Sequence, residues 1–381
     1  MASDIIARWR FYLRQRPVVL AALTVLAIVF FLAVTGLSQV HQAQRRAIGD
    51  RWFNRGIADL NAKRFEAAVK DFRAALLYSP DDYSYQLNLA EALIGEGQRG
   101  QALAYLINLW EREPENGIVN LELARSAANQ GQTDDAIRYY HNAVYAVWPP
   151  DQDTMRRDAR LELIELLLRI GAKQQAQGEL IALAERVGPD PAQQERVGEL
   201  FLRAGDYEHA LAAFSAVLKS DRHNAAALAG AGYAAFELGR YPEGQRYLQA
   251  AIEAKPDDTA SQARLKTTQL VLQMDPFQRQ IPIAERDRIV VQAFQTAGER
   301  LRSCKLPAGI SSAGSAPLSL GDEWEGLKPQ ITQLRLRRDP DLVETGMDLV
   351  FRIERATSVA CGSPTGADLA LLLISNMHEG S

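Results

Sequence analysis

At 381 residues the chain is long enough for two or three structural units. It is 47% hydrophobic and 24% charged, which excludes wholesale disorder, a collagen-like chain and a multi-pass membrane protein. Its two cysteines exclude a disulfide-built mini-scaffold and a four-thiolate zinc site, and the charge is unevenly spread: residues 1–46 carry six arginines and one aspartate, the remainder 37 basic and 46 acidic residues. A nucleic-acid binder places its positive excess on the folded part. Here the excess flanks a hydrophobic run, and no nucleic-acid ligand is expected.

That run, Val18 to Leu37, reads VVLAALTVLAIVFFLAVTGL without a charge. As a helix, its twenty residues reach about 30 Å, the thickness of a bilayer's hydrocarbon core. Trp9, Phe11 and Tyr12 lie just upstream, where amphipathic rings favour the headgroup region. A buried core helix would be shorter and carry a polar face. A cleavable signal peptide shares the basic start, but its apolar stretch is usually about 7–15 residues and ends at small residues. Val34–Thr35–Gly36 is a poor cleavage site, so a retained single-pass anchor is favoured. Arg8, Arg10, Arg14 and Arg16 crowd the upstream flank, whereas Arg45 and Arg46 follow at a distance. The positive-inside rule then places residues 1–17 in the cytoplasm. The span 18–37 lies in the cell (inner) membrane, a juxtamembrane linker covers 38–48, and the bulk is extracytoplasmic or periplasmic. The opposite topology, with a cytoplasmic solenoid and reduced thiols, is the alternative.

Beyond the anchor the chain repeats. Trp52, Gly56, Phe65, Ala68, Phe72, Ala75 and Pro80 return 34 residues on as Gln86, Ala90, Arg99, Ala102, Leu106, Leu109 and Pro114. A third set follows at Asn120, Ala124, Thr133, Ala136, Tyr140, Ala143 and Trp148. An insertion at Asp151–Arg156 shifts the phase, a degenerate fourth unit spans about Arg157 to Asp190, and further units begin near Pro191 and Ala225. Thr259–Met274 reads as one additional capping helix. Small residues at Gly56, Ala90, Ala124, Gly198 and Gly232 let helices approach closely, and Phe72, Leu106, Tyr140, Phe214 and Leu248 fill the space between hairpins. Gly97, Gly131, Gly171, Gly205 and Gly239 stand where first helices should stop, a position that asks for positive φ.

These columns resemble the tetratricopeptide repeat. The resemblance implies an all-α, right-handed solenoid of about six helical hairpins plus a capping helix over residues 49–274. It also implies a concave groove, lined by first helices, that holds proteins or peptides. By phase the groove-facing candidates are Asn54 and Ile57, Asn88 and Glu91, Glu122 and Arg125, Glu162 and Glu165, Arg196 and Glu199, and Tyr233 and Phe236. Some members clamp a partner's C-terminal carboxylate with basic residues and asparagines. Only Asn88 matches that clamp, since Phe53, Ile57, Ile118 and Glu122 occupy its other places. Five glutamates suggest instead a basic or polar ligand, with Tyr233 and Phe236 as an apolar anchor. The bland alternative is that these glutamates are solvated helix positions.

Residues 275–381 resemble no family and read as a small helical C-terminal domain. Asp275–Pro282 is a linker, Ala284–Lys305 a helix, and 306–321 a flexible Gly/Ser/Ala/Pro loop; helical stretches follow at about 326–338, 340–360 and 366–377. Cys304 and Cys361 fall here at helix ends. Placement outside the cytoplasm favours a disulfide, worth about 4 kcal/mol on the loop-entropy model.

No H-E-x-x-H, G-x-S-x-G, Walker or dinucleotide glycine motif is present, and no two of the five histidines stand one helical turn apart. Asp151 and Asp153 resemble the start of a calcium loop, without its glycine and terminal glutamate. The expectation is a scaffold without enzymatic activity, metal or cofactor, which gathers proteins at the membrane for assembly or export of envelope or secretion components. The alternative is a regulatory or substrate-presenting subunit of a membrane-bound enzyme.

Overall fold

The computed structural model describes residues 2–148, 152–304 and 319–378, and among these every regular element is a helix. The chain divides into two compact units, Met1–Leu166 and Leu167–Ser381.

The first unit opens with α1 (Ala2–Asn61), a single helix of 60 residues. Its stretch from Leu23 onward is long and apolar enough to cross a membrane, and its large apolar side chains from Leu23 to Val40 stand exposed. Residues 38–48, expected as a linker, are helical without a break, so the apolar run and the first helix of the first repeat are one rod. Its far end pairs with α2 (Phe65–Leu76), followed by α3 (Tyr83–Gly95), α4 (Arg99–Arg112), α5 (Gly117–Asn129), α6 (Thr133–Tyr145) and most of α7 (Asp153–Arg169). Successive helices pack on one another around Val69, Phe72, Leu89, Leu93, Leu106, Leu109 and Leu123. Helix starts are fixed by short polar side chains: Asp82 accepts from the Tyr85 amide, and Asn116 from the amides of Ile118 and Val119. At the third repeat's end, the Trp148 ring lies against Gly117 and donates its indole N–H to the Ala143 carbonyl at 2.7 Å.

Most of the expected insertion is an extra first turn of α7, which begins at Asp153 rather than Arg157. Arg156 donates to the Asp153 carboxylate at 2.7 Å, so this carboxylate has a guanidinium partner. Asp151 lies outside the described residues.

In the second unit, α8 (Lys173–Ala184), α9 (Pro191–Ala204), α10 (Tyr207–Ser220), α11 (Ala225–Glu237) and α12 (Tyr241–Ala254) continue the repeat, and α13 (Thr259–Met274) follows as the extra helix. The five glycines at the ends of first helices have φ between +71° and +87°, a region that a side chain resists. Close approach decides two others: an ideal Cβ at Gly198 or Gly230 would stand 2.9 or 2.4 Å from the Phe214 ring, which is 1% exposed.

The tail consists of α14 (Ile283–Ser303), α15 (Leu320–Leu327), α16 (Gln333–Arg338), α17 (Asp341–Cys361) and α18 (Gly366–His378). The stretch expected at 326–338 is thus two short helices, and α15 starts earlier, at a capping box formed by Ser319 and Asp322. The expected loop lies outside the described residues from 305 to 318; its last two residues belong to α15. One hydrophobic core joins Tyr241, Val271 and Met274 of the repeats to Val290, Phe294, Trp324, Met347, Val350, Leu371 and Ile374. The segment Asp275–Pro282 is pinned to it, with the Phe277 ring 4.8 Å from His378. Cys304 and Cys361 are bonded, with Cα atoms 6.0 Å apart.

Filling the space against Phe214 should cost stability. Gly230→Ala is expected to destabilise the protein by about 1–3 kcal/mol. Gly100→Ala, at an exposed helical site where a Cβ meets nothing within 4 Å, should be neutral or stabilising. Thermal melts followed by circular dichroism compare the two.

Candidate functional site

Three of the first unit's candidate residues, Glu91, Glu122 and Arg125, line a cavity of about 420 Å³. The floor comes from Phe65 at the start of α2, Ile94 and Gly95 at the end of α3, and Ala102, Leu103 and Leu106 of α4. Gly95 makes this possible, because a Cβ there would fall 2.3 Å from the Phe65 ring. The rim carries Glu91, Arg99, Glu122, Arg125, Ser126 and Asn129. Helix periodicity explains the grouping: Glu91 with Gly95, Arg99 with Ala102 and Leu106, and Glu122 with Arg125 and Asn129 follow three- and four-residue steps.

Charges on this rim are unequal. Arg125 donates to Glu162 from both Nε and Nη2, at 3.0 and 2.6 Å, and from Nη1 to Glu122 at 2.6 Å. Tyr140, 4% exposed, donates its hydroxyl to Glu162 at 2.9 Å. The Glu162 hydrogen bonds, above all, push Arg125 higher still in pKa, so the guanidinium is a fixed cation. Glu122, its side chain 13% exposed, is raised by burial against the opposing pull of Arg125. Burial and the tyrosine's contact with Glu162 raise Tyr140.

The expected row of five glutamates is therefore not a row of free charges. Glu122 and Glu162 share one arginine, and Glu165 is half-buried and engaged within the fold. Glu91 differs: exposed, it makes no hydrogen bond or ion pair, and its pKa is raised first by desolvation and then by Glu122. Arg125 pulls the other way, but it is hydrogen-bonded to Glu122 and Glu162 rather than to Glu91. Asn88 turns back on its own helix, donating to the Ser84 carbonyl at 2.8 Å, and Asn54 is exposed on α1. Ile57 packs against the core, and Phe53 stacks on Tyr85 at 4.9 Å. Two of the clamp positions, Phe53 and Ile57, are thus spent on packing. Phase along first helices missed Phe65, Arg99 and Leu103, because they belong to second helices.

The other four candidates lie in the second unit. Arg196 and Glu199 are exposed on α9. Arg264 covers the face of Tyr233 at 4.0 Å from the ring centroid. Phe236 packs into the core shared with the tail and meets Tyr241 edge-on at 5.5 Å. Both aromatic candidates are thus half-buried and in contact with other side chains of the fold.

That same unit buries a polar cluster. Arg300 donates to Thr357 at 2.8 Å and to the Gly362 carbonyl at 3.0 Å, and stands 3.4 Å from Glu354 and 3.5 Å from Asp368. Glu354 is fully buried, with no hydrogen-bond donor on either carboxylate oxygen. Desolvation, aided by Asp368 and opposed by Arg300, pushes it up to about 8. Asp368 is raised as well, chiefly by burial. Among the described residues no group of three or more His, Cys, Asp or Glu side chains is placed to hold a metal.

Among the described residues, helices follow one another in chain order from α1 to α12, with one extra helix, α13, after them; this order defines a tandem helical-repeat protein. Residues 93–146 and 201–268 match one tetratricopeptide repeat model, and residues 53–106 and 121–192 match a second. The chain belongs to the tetratricopeptide repeat family. Among solved structures it resembles YrrB, a TPR protein with an unusual peptide-binding site, at 19% identity over 50% of this chain and 95% of that one, with a TM-score of 0.41. PilF of Pseudomonas aeruginosa is 16% identical over 57% and 97% of the two chains, with a TM-score of 0.41. The C-terminal part of a TPR protein from Cytophaga hutchinsonii is 12% identical over 81% and 97%, with a TM-score of 0.43. No curated protein matches the sequence.

Two outcomes follow from the buried charges. Arg125→Met strands Glu122 and Glu162 and should cost about 1–3 kcal/mol at pH 7.5. With Glu122 pushed further above its unfolded pKa, that loss should shrink towards pH 4.5, as urea titrations at the two pH values would reveal. Glu354 carries the same sign. Its folded pKa lies above the unfolded value, so its contribution is complete below about pH 4.5 and fades as pH rises towards 8. The urea midpoint should fall across that window in the wild type and fall less in Glu354→Gln.

Proposed function

We propose that this chain is a membrane-anchored scaffold that recruits a partner protein through the α3–α4–α5 pocket, with residues 1–17 in the cytoplasm and the repeats outside it. Continuity of α1 supports a retained anchor over a cleaved leader, because the apolar run passes directly into the helix that packs the first repeat. The Cys304–Cys361 bond supports an oxidising compartment. The chain acts by binding, and assembly or export of envelope components is the process such a device would serve.

One observation carries the partner reading: Glu91, a carboxylate that makes no hydrogen bond or ion pair and whose nearby Arg125 is bonded to Glu122 and Glu162, lines a pocket with an apolar floor. The matching ligand is a peptide that places an aliphatic side chain on Phe65, Ile94 and Leu103 and a lysine or arginine beside Glu91. Such a pair relieves the repulsion between Glu91 and Glu122 and so gains more than a solvated salt bridge would.

Fluorescence anisotropy with the purified full chain and labelled peptides tests this. Peptides with leucine flanked by lysine should bind, and the same peptides with glutamate in place of lysine should not. Glu91→Gln should weaken binding roughly three- to tenfold, about 0.6–1.4 kcal/mol, while leaving the thermal melt unchanged. Wild-type binding should also weaken as pH falls and Glu91 takes up a proton. Equal binding of both peptide sets would defeat the pocket assignment.

A further inference from the structure

A second cavity, of about 580 Å³, lies lower on α1. Gln42, Arg45 and Arg46 form one wall, and Tyr78, Ser79, Pro80, Asp81, Asp82 and Tyr83 of the α2–α3 turn form the other. The wall on α1 is a single helical face, since positions three and four apart lie together. One turn further on, Gly49 meets the Tyr85 ring, and the packing of the first repeat begins. The cavity is therefore on the side of the first repeat nearest the apolar run.

Its height is set by the helix. At 1.5 Å per residue, Gln42 and Arg46 stand about 8 and 14 Å past Leu37 along α1. The headgroup layer is about 5–7 Å deep beyond the hydrocarbon, and arginine side chains reach down into it from above. Leu77, 73% exposed on the same turn, adds an apolar contact beside the cavity, and its carbonyl accepts from Arg45 at 3.0 Å.

The charges in the cavity are balanced but not joined. Arg45 and Arg46 have no carboxylate partner, although Asp81 and Asp82 line the same space. Asp82 is committed to the N-terminus of α3 through the Tyr85 amide. The Asp81 carboxylate makes no hydrogen bond or ion pair; only its main-chain carbonyl is used, by Arg112. Two separated poles, cationic on α1 and anionic on the turn, suit a ligand that itself carries both signs. A simple anion would meet Asp81, and a simple cation would meet the arginines.

We propose that this cavity binds a zwitterionic phospholipid headgroup of the phosphoethanolamine type. Arg45, Arg46 and the Ser79 and Tyr78 hydroxyls take the phosphate, and Asp81 takes the primary ammonium. The cavity volume leaves room for the glycerol backbone, with Leu77 against the first acyl carbons. This placement rests on the reading of α1 as a retained anchor.

The test uses the full chain in a non-phospholipid detergent, titrated with dioctanoyl phosphatidylethanolamine, phosphatidylglycerol or phosphatidylcholine, or with inorganic phosphate, and read by native mass spectrometry. The wild type should bind the ethanolamine lipid at least tenfold more tightly than the choline lipid, whose quaternary ammonium donates no hydrogen bond. Arg46→Gln should lower binding of both the ethanolamine and glycerol lipids about tenfold. Asp81→Asn should erase the preference for ethanolamine over glycerol and spare the latter. Tyr78→Phe, the milder change, should weaken the phosphate contact should Arg46→Gln fail to fold. Equal affinity for all three lipids, a preference for the glycerol lipid in the wild type, or binding of inorganic phosphate as tight as lipid would each overturn the proposal. Alkaline carbonate extraction of membranes separates the two readings: release of the wild type defeats the anchor whatever the headgroup result.

Discussion

Close approach between helices is the constraint on which this molecule depends. A hairpin of two short helices cannot bury its own apolar face, so each must lie against the next. The contact works only where one side gives up its side chain: Phe72 against Gly56, Phe214 between Gly198 and Gly230, Trp324 against Gly298. The last of these lies in the tail rather than in the repeats, and the Trp324 indole donates to the Phe294 carbonyl at 3.1 Å. The same packing rule that builds the repeats thus also attaches the segment without family resemblance. The described residues of the tail share their core with the final repeat and the capping helix instead of hanging from them.

Much of this was legible in the sequence because backbone sterics and periodicity are local. The glycines at 97, 131, 171, 205 and 239 marked helix ends, and all five adopt the left-handed conformation. The capping helix runs over the residues that its pattern indicated, Thr259–Met274. What was not legible depends on contacts distant in sequence. Nothing near Phe236 reveals that tail residues will pack on it, and nothing near Glu162 reveals that Arg125, 37 residues earlier, will bond to it. Helical phase says which way a side chain points; it does not say what will have arrived there first.

The same limit shaped the reading of the groove. A count of glutamates gave an acidic surface, whereas of the two glutamates that line the first unit's pocket, Glu122 is bonded to Arg125 and Glu91 has no hydrogen bond or ion pair. Electrostatic character at a surface belongs to what remains after internal neutralisation, not to the number of charged residues in the sequence. The buried Arg300, Glu354 and Asp368 show the opposite use of charge, where one guanidinium serves two carboxylates and burial keeps Glu354 largely protonated near neutrality.

The unbroken course of α1 has a mechanical meaning. In the anchored arrangement proposed above, a flexible tether would let the repeats tumble over the bilayer, whereas a continuous helix fixes their azimuth and standoff together. Each residue added between Leu37 and Gln42 would swing the pocket by about 100° and lift it by about 1.5 Å, so standoff and facing are geared to one another. Seven residues would raise it by about 10 Å and return nearly the original facing, whereas two or five would aim it elsewhere. The length of that helical stem is therefore as much a determinant of which neighbours the repeats meet as any side chain on their surface.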